Sequence, residues 1–431
     1  MDEVRAYRVA PAYGPQRRTK VVFVSTYPPR HCGIATFTRD LGHALAEVAP
    51  DLAPMVCAVD RDGLDYGPGV AFVLRQDEYD DYRKTAAEIA DAGVGVVAIE
   101  HEYGIFGGPD GAWITRFADE LSDRNVPFLV TLHTVLSEPS AGQAATLRRL
   151  CRRAFAVSVF TETAKRLAVA TGIAPADRIV VVPHGAPTIL HQRPGAVPAE
   201  SARGFWQARL EVVELLAESG GKRLVSTFGL ISPGKGLETA VKAVAAVADE
   251  HPDVRYVIAG STHPEVAKEH GEGYRQGLVD LVAELGVEEQ VRFLDFFLTD
   301  DEIALLLGRT EVFLTPYRSR EQISSGVLTF AIAAGCPVVS TSYFYAQDML
   351  ASGAGVLVEN GDDEHFARAL RGLLADAEQL AAVRLAATEI GRTLGWPSVA
   401  SRFAEILRRA VHRYEVLVVR QRALQLDAAS A

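Results

Sequence analysis

Cysteine is scarce in this sequence of 431 residues, and the four that occur, Cys32, Cys57, Cys151 and Cys336, lie far apart. Their spacing contains neither a CxxC pair nor a pattern of zinc ligands, so we expect reduced thiols without a structural metal. The sequence also lacks a run of about 18 uninterrupted apolar residues, the length that a membrane-spanning helix needs. The N-terminal stretch MDEVRAYRVAPAYGPQRRTK has no apolar segment of a secretion signal. We therefore expect a cytoplasmic protein that does not span a membrane.

Basic residues are also fewer than acidic ones, with 44 lysines and arginines against 55 aspartates and glutamates. The formal net charge is −11, and no long basic run occurs, which argues against a nucleic-acid partner. The exception is the C-terminal segment, where arginines stand at positions 402, 408, 409, 413, 420 and 422. Contact of this segment with an anionic membrane surface is one interpretation. A helix packed on the rest of the protein is favoured over it, because Glu405, Glu415 and Asp427 dilute the charge.

Apolar, β-branched runs alternate with helix-like stretches along most of the chain. The runs that begin at Thr19, Val94, Val126, Arg153 and Asp177 have the character of buried strands. The pattern weakens at the proline-rich stretch HQRPGAVPAE, and a second series of strands and helices follows it. Near-continuous apolar strands alternating with helices are typical of parallel sheets that are covered on both faces.

The fold class predicted from this pattern is α/β, with two Rossmann-like doubly wound domains that face each other across a cleft. We predict a flexible tail over 1–18, a first domain over 19–195, a second domain over 196–395 and a closing helical region over 396–431. Ligands bind such sheets at the carboxyl ends of the strands and at helix N-termini. The candidate functional residues are therefore those of the strand-end loops.

The first domain has three such loops. In the first, Gly33 lies where the backbone can approach a ligand closely, although its spacing alone favours an ordinary strand-to-helix turn. In the second, Glu102 and Tyr103 belong to IEHEYGIFGGPDG, which has carboxylates that could contact sugar hydroxyls or transfer protons; a solvated loop is the alternative. In the third, His133 ends an apolar strand, and its position makes a cleft-facing role about as plausible as that of a structural histidine.

The second domain has two candidate loops. In STFGLISPGKGLETAVKAV, Gly229 ends a strand and Lys235 precedes a helix, an arrangement that suits a phosphate better than it suits a surface lysine. The sequence does not match the Walker A pattern. The other loop precedes the helix of SSGVLTFAIAAG, and its candidate residues are Glu321, Gln322, Ser324, Ser325, Gly326 and Val327. Backbone N–H groups there can meet a diphosphate, while Glu321 suits neutral sugar hydroxyls; a helix cap made by Ser324 or Ser325 is compatible with both.

Together these loops resemble the retaining glycosyltransferases of family 4, which have the GT-B architecture. The resemblance runs from about Val21 to the last helix, and FGLISPGKG, YVIAGSTHPE and TPYRSREQISSGVLTFAIAAGCPVVST are its most specific parts. PPRHCGIATFTRDL, EHEYGIFGG and TLHT carry it in the first domain. The resemblance implies a first domain that binds the acceptor and a second that binds the donor. It also implies that the closing helix crosses back to the first domain.

The resemblance further implies roles for particular residues. Gly33 would face the donor phosphates, His133 would contact the transferred sugar, and Lys235 would neutralise the leaving diphosphate. His133, Lys235 and Glu321 are then the catalytic candidates. The implied donor is a nucleotide-sugar, GDP-mannose or a UDP-hexose, and the acceptor is an unidentified carbohydrate or small molecule. Neither a metal nor another cofactor is expected.

The sequence departs from this family at three places. Leu230 occupies the place of an arginine, and Gln322 and Phe330 occupy the places of two glutamates. The second glutamate typically holds the ribose of the nucleotide, and a phenylalanine cannot accept those hydrogen bonds. Two alternatives therefore stay open: a phosphorylase-like enzyme that uses a sugar 1-phosphate, and a nucleotide-sugar 2-epimerase of related fold.

Overall fold

The computed structural model describes residues 18–191 and 208–430, and within the last helix it describes side chains as far as Tyr414, together with Val416. Nearly all of the predicted tail lies outside the described residues. The predicted boundary between residues 195 and 196 lies outside them too.

The first domain is built on a seven-stranded parallel sheet with the strand order β3-β2-β1-β4-β5-β6-β7. Its strands are β1 (Thr19–Ser25), β2 (Leu52–Asp60), β3 (Val70–Arg75), β4 (Val96–His101), β5 (Phe128–Leu132), β6 (Ala156–Val159) and β7 (Ile179–Val181). Every residue of β4, β5 and β6 is buried, as expected for central parallel strands. The near-continuous apolar runs that predicted these strands therefore reflect burial on both faces.

Helices cover both faces of this sheet. They are α1 (Gly33–Val48), α2 (Tyr79–Asp91), α3 (Ile114–Asp123), α4 (Ala141–Arg153) and α5 (Glu162–Ala170). In α1 the buried positions Phe37, Leu41, Ala44 and Leu45 follow the helical repeat and form one apolar face. This face holds the helix against the sheet, with Gly33 at its N-terminus.

The second domain repeats the plan on a six-stranded parallel sheet with the order β10-β9-β8-β11-β12-β13. Its strands are β8 (Arg223–Phe228), β9 (Val254–Ala259), β10 (Val291–Leu294), β11 (Thr310–Thr315), β12 (Val338–Thr341) and β13 (Gly355–Val358). Its helices are α6 (Leu210–Glu218), α7 (Leu237–Ala248), α8 (Pro264–His270), α9 (Gly273–Glu284), α10 (Asp300–Arg309), α11 (Gly326–Ala333), α12 (Phe344–Leu350), α13 (Asp363–Ala375) and α14 (Ala377–Gly391). The predicted pair of Rossmann-like sheets is confirmed.

A last helix, α15 (Trp396–Ser430), returns to the first domain and packs against α1. Phe403 stacks on Phe23 of β1 with 6.0 Å between ring centroids. The guanidinium of Arg408 binds the carboxylate of Asp51 at 2.6 Å, so this arginine belongs to the contact with the first domain. Within the described residues, no helix is long and apolar enough to cross a membrane.

The largest apolar core joins the two domains. It contains Phe23 and Leu41 from the first domain, Phe313 and Leu328 from the second, and Phe403 from α15. Two further clusters lie on the outer faces of the two sheets. The shared core holds the carboxyl ends of both sheets around one cleft.

Candidate functional site

A cleft of about 1100 Å³ lies between the carboxyl ends of the two sheets. Of the predicted site residues, the following line it: Gly33, Glu102, His133, Gly229, Lys235, Glu321, Gln322, Ser324, Ser325, Gly326 and Val327. Tyr103 is not among its lining residues. Two parallel sheets whose strand ends face each other bring these positions together from across the chain.

Lys235 ends a tight turn, Pro233–Lys235, that leads into α7 through Gly236. Its Nζ donates to the hydroxyl of Tyr317 at 2.9 Å and lies 4.1 Å from the centre of the same ring. None of the ion pairs found among the described residues involves this ammonium. Burial lowers the pKa of Lys235 to about 8. The result is a cleft-facing cation without a carboxylate partner, which suits an anionic ligand.

The loop before α11 supplies hydrogen-bond donors to the same cleft. Ser325 caps the helix, because its Oγ accepts from the backbone N–H of Leu328 at 3.2 Å. The N–H groups of Gly326 and Val327 have no acceptor among the described residues. These unpaired donors and the helix dipole together favour an anion. The predicted helix cap is therefore formed by Ser325, and it leaves the two N–H groups available for the predicted anion.

Glu321 lines the cleft, but both of its oxygens are engaged. They accept from the backbone N–H and the Oγ of Ser137, each at 2.7 Å, and so join the two domains. Ser324 makes a second such contact by donating to the carbonyl of His133 at 3.0 Å. The side-chain amide nitrogen of Gln322 donates to the carbonyl of Ser324 at 2.8 Å. A sugar that used Glu321 would have to share it with Ser137.

His133 is paired with a carboxylate that the sequence pattern did not single out. Its Nε2 lies 3.0 Å from Oε2 of Glu100, which is wholly buried. The sequence shows Glu100 and Glu102 near the end of β4, but it does not show which of them meets His133, because this histidine directly follows the next strand, β5. Glu102 accepts from the backbone N–H of Tyr103 at 2.8 Å and binds the hydroxyl of Thr134.

A second histidine, His184, was not predicted as a site residue although it lines the cleft. Its Nδ1 lies 2.7 Å from the carbonyl of Gly185, so this nitrogen carries the hydrogen. Burial lowers the pKa of His184 to about 4, and the ring is neutral at neutral pH. Its aromatic neighbours are Phe37, Phe160, Trp396 and Phe330. The strand-end motif PHG was the only signal in the sequence.

Phe330, at the position of the family's second glutamate, belongs to the aromatic side chains around His184. It stacks on Phe228 with 6.3 Å between ring centroids and meets His184 edge to face. Leu230 also lines the cleft and brings no charge to it. The structure thus places apolar side chains at two of the three departures from the family pattern.

A charged seam crosses the cleft between α1 and α10. Arg39 binds the carboxylate of Asp40 at 2.7 Å and approaches that of Asp300 at 3.5 Å. Burial raises the pKa of Asp40 to about 6, while Arg39 partly opposes the shift. Trp396 lies near enough to Asp40 to oppose the shift in pKa as well, but neither Oδ2 of Asp40 nor Nε1 of Trp396 makes a hydrogen bond of good geometry, although both atoms are buried. Asp40 therefore carries an incompletely compensated charge.

Residues 213–389 match the family model described as glycosyl transferases group 1. The match lies in the second domain and covers less than half of the chain. The matched residues include Lys235, the loop before α11 and the cap of that helix, which line the cleft. The first domain lies outside the matched residues.

Two relatives share the name D-inositol 3-phosphate glycosyltransferase. The protein from Corynebacterium glutamicum is 27% identical over 301 residues, which are 66% of this chain and 67% of the relative. The protein from Streptomyces scabiei is 32% identical over 196 residues, which are 44% of this chain and 42% of the relative. The chain thus spans between less than half and about two thirds of these relatives. With the group 1 match, they confirm the prediction of a glycosyltransferase.

Solved structures resemble the chain over both domains. HepE of Anabaena, in complex with UDP, has a TM-score of 0.70 at 17% identity and covers 91% of this chain and 100% of its own. Sucrose-phosphate synthase from Thermosynechococcus elongatus has a TM-score of 0.70 at 16% identity, with coverages of 91% and 99%. At such identities the likeness concerns the fold alone, and it confirms the GT-B architecture.

Proposed function

We propose that this protein is a retaining hexosyltransferase that moves a mannose- or glucose-type sugar from a nucleotide-sugar to an acceptor hydroxyl. The observation that carries the proposal is the anion site, where the Lys235 ammonium and the unpaired N–H groups of Gly326 and Val327 face one cleft. A diphosphate is the anion that leaves when a nucleotide-sugar reacts. Donors fixed in place before the reaction stabilise such developing charge without reorganisation.

In the proposed reaction the bond between the anomeric carbon and the diphosphate oxygen breaks. Negative charge then accumulates on the leaving phosphate, where Lys235 and the N-terminus of α11 stabilise it. The acceptor oxygen attacks the anomeric carbon on the face that the diphosphate leaves, and its proton passes to a phosphate oxygen. This route needs no side chain as a strong base, which fits a site where Glu102 and Glu321 are both already hydrogen-bonded.

The choice of donor is supported by solved structures of similar fold. HepE binds UDP in its structure, and another HepE structure contains UDP-glucose, which makes UDP-glucose the first donor to test. GDP-mannose is the second. Phe330 offers no hydrogen-bond acceptor, so the nucleoside must be recognised by other residues of the cleft, such as His263 and the backbone of Gly260.

The acceptor side is formed by the first domain. Glu102, Thr134, His43 and Arg39 line it and supply both charged and neutral polar groups. The relatives named D-inositol 3-phosphate glycosyltransferase make inositol phosphates reasonable first acceptors. A neutral polyol is the matched control acceptor, since it removes the phosphate and keeps the hydroxyls.

A donor panel tests the proposal. UDP-glucose, GDP-mannose, UDP, GDP, glucose 1-phosphate and inorganic phosphate are each added to the purified protein, and both thermal stability and sugar release or transfer are measured. We expect stabilisation by one nucleoside diphosphate and transfer or slow hydrolysis of the matching nucleotide-sugar. Stabilisation by phosphate or glucose 1-phosphate alone would favour the phosphorylase-like alternative. Release of an epimerised sugar without transfer would favour the epimerase.

A further inference from the structure

Glu100 is a fully buried carboxylate next to the cleft. It lies on β4, whose six residues are all buried. A buried carboxylate is costly unless hydrogen bonds or opposite charge compensate it. Among the described residues its hydrogen-bond partners are His133, with Nε2 at 3.0 Å, and Thr131, with Oγ1 at 3.4 Å. The shorter contact identifies His133 as its principal partner.

The pair follows from the register of two central strands. Glu100 of β4 lies opposite Thr131 of β5. Alternate residues of a strand point to the same face, so His133 follows Thr131 on the face that Glu100 occupies. Both strands are buried along their whole length. Glu100 lies within β4, and His133 directly follows the last residue of β5, where its backbone N–H continues the ladder by donating to the carbonyl of His101 at 2.9 Å. Groups built on rigid strands are held more tightly than those on loops.

The contact fixes which edge of the imidazole faces the cleft. With a carboxylate as acceptor, Nε2 of His133 carries the hydrogen. The two nitrogens of an imidazole point in nearly opposite directions, so Nδ1 faces away from Glu100. The ring also meets Phe37 at 5.0 Å and Phe160 at 5.1 Å, both edge to face, and these contacts hinder its rotation. His133 lines the cleft, and Nδ1 has no hydrogen-bond partner among the described residues.

Two further histidines, His101 and His184, lie near His133, but neither is paired with a carboxylate of the described residues. Burial lowers the pKa of His101 to about 3 and that of His184 to about 4, and in each case the neighbouring His133 adds to the shift. Both are neutral at neutral pH. Neither forms a hydrogen bond or an ion pair with a described carboxylate. Of these three imidazoles, only that of His133 forms a hydrogen bond with Glu100.

We propose that Glu100 is a positioning residue, which holds His133 in the tautomer and orientation that turn Nδ1 toward the sugar in the cleft. The proposal rests on the proposed function. In this tautomer Nδ1 has a lone pair and accepts a hydrogen bond, so the ligand group that it recognises is a hydroxyl, which can donate, rather than a phosphate oxygen. Ser324 binds the carbonyl of the same histidine, which links this orientation to the loop at the anion site.

The kinetic test uses Glu100→Gln, which keeps the shape of the side chain and removes the negative acceptor. We expect kcat to fall by roughly 10- to 100-fold with little change in KM for the donor, the range found for residues that orient a functional histidine. His133→Gln should reduce kcat as well, and the double variant should be no worse than His133→Gln. Glu364→Gln, on an exposed side chain, is the matched control and should leave kcat unchanged.

The independent test is the ring tautomer, read from nitrogen-15 spectra of histidine-labelled protein. We expect the hydrogen of neutral His133 on Nε2 in the wild type and a mixture of tautomers in Glu100→Gln. An Nδ1–H tautomer in the wild type would overturn the proposal, and so would an additive double variant. If the wild type transfers no sugar, the proposed function fails, and the wild-type spectrum still decides whether Glu100 orients His133. That spectrum also decides the matter if Glu100→Gln does not fold.

Discussion

The charge of Lys235 should make the binding of an anionic ligand in the cleft depend on pH. Burial lowers the pKa of its ammonium to about 8, so the free protein loses this charge as the pH rises through that value. A bound diphosphate favours the charged form, and binding should therefore take up a proton near and above pH 8. We expect the affinity for the nucleoside diphosphate to weaken by up to about tenfold per pH unit above 8. Calorimetry at several pH values measures this, and Lys235→Ala should abolish the dependence.

Asp40 is a residue whose charge opposes folding. Its ordinary pKa is 3.8, and burial raises it to about 6 in the folded protein. Between these values the native state binds more protons than the unfolded state, so this group lowers stability as the pH rises from about 4 to about 6. Asp40→Asn should then raise the free energy of unfolding at pH 7.5, by up to about 3 kcal/mol.

The difference between Asp40→Asn and wild type should be much smaller at pH 4, where the aspartate is protonated in the native state and close to half protonated in the unfolded state. Denaturant unfolding at the two pH values checks this. Equal stability of the variant and the wild type at pH 7.5 would show that Arg39 compensates the charge in full.

Single residues at strand ends were predictable, but their partners were not. Lys235 and the loop before α11 were identified because a glycine-rich turn ahead of a helix is a local pattern. The partners of Glu321 and His133 are not local: Ser137 lies 184 positions before Glu321, and Glu100 lies 33 before His133. No periodicity within a single chain segment shows such contacts, because the register of the strands and the closure of the domains create them.

At the level of elements, the turn into α7 depends on one glycine. Gly236 has a left-handed backbone (φ 61°), and a Cβ there would lie 2.1 Å from the carbonyl oxygen of Pro316. Gly236→Ala should cost more than the roughly 1 kcal/mol of an unfavourable φ alone, because the helix must also move. Gly63→Ala is the matched control, with a φ of 69° and nothing within 4 Å of the added carbon.

Thermal unfolding of the two glycine variants measures this difference. Gly63→Ala should show only the backbone term, and Gly236→Ala should show a larger loss of stability and a weaker affinity for the diphosphate. Equal losses in the two variants would mean that the turn before α7 adapts without strain.

Strand prediction failed at one edge of the first sheet and succeeded for the other strands of both sheets. β2 and β3 were not predicted from the sequence. β3 is an edge strand whose residues are mostly exposed or half-buried, and β2 contains Pro54 among half-buried positions at its start. Neither feature gives the continuous apolar run that identified β4 and β5. The pairing of β2 with β1, and of β3 with β2, is a tertiary effect that overrides a weak local signal.

At the scale of the whole molecule, polar contacts hold the two domains in the observed arrangement. Asp348 of α12 accepts from the backbone N–H and the Oγ1 of Thr163 at the start of α5, at 2.8 and 2.6 Å. Asp348→Ala removes both bonds from a helix N-terminus of the opposite domain. We expect a larger radius of gyration by small-angle scattering and a several-fold weaker affinity for the donor.

The half-buried Asp363, which pairs with Lys242 and accepts from Thr239 within the second domain, provides the control Asp363→Ala. That variant should leave the radius of gyration unchanged. An identical scattering profile for Asp348→Ala and the wild type would show that the shared apolar core alone sets the arrangement of the domains.

The central claim is that the Lys235 ammonium stabilises a leaving diphosphate. The most direct test is the steady-state kcat/KM of Lys235→Ala with the nucleotide-sugar that the wild type uses, compared with Lys242→Ala, whose lysine forms a surface ion pair. We predict a loss of roughly 100- to 1000-fold for Lys235→Ala, the range for removing one preorganised donor to a developing charge. Lys242→Ala should stay within about twofold of wild type, as expected for an exposed ion pair. A Lys235→Ala variant that is folded and retains wild-type kcat/KM would contradict the account.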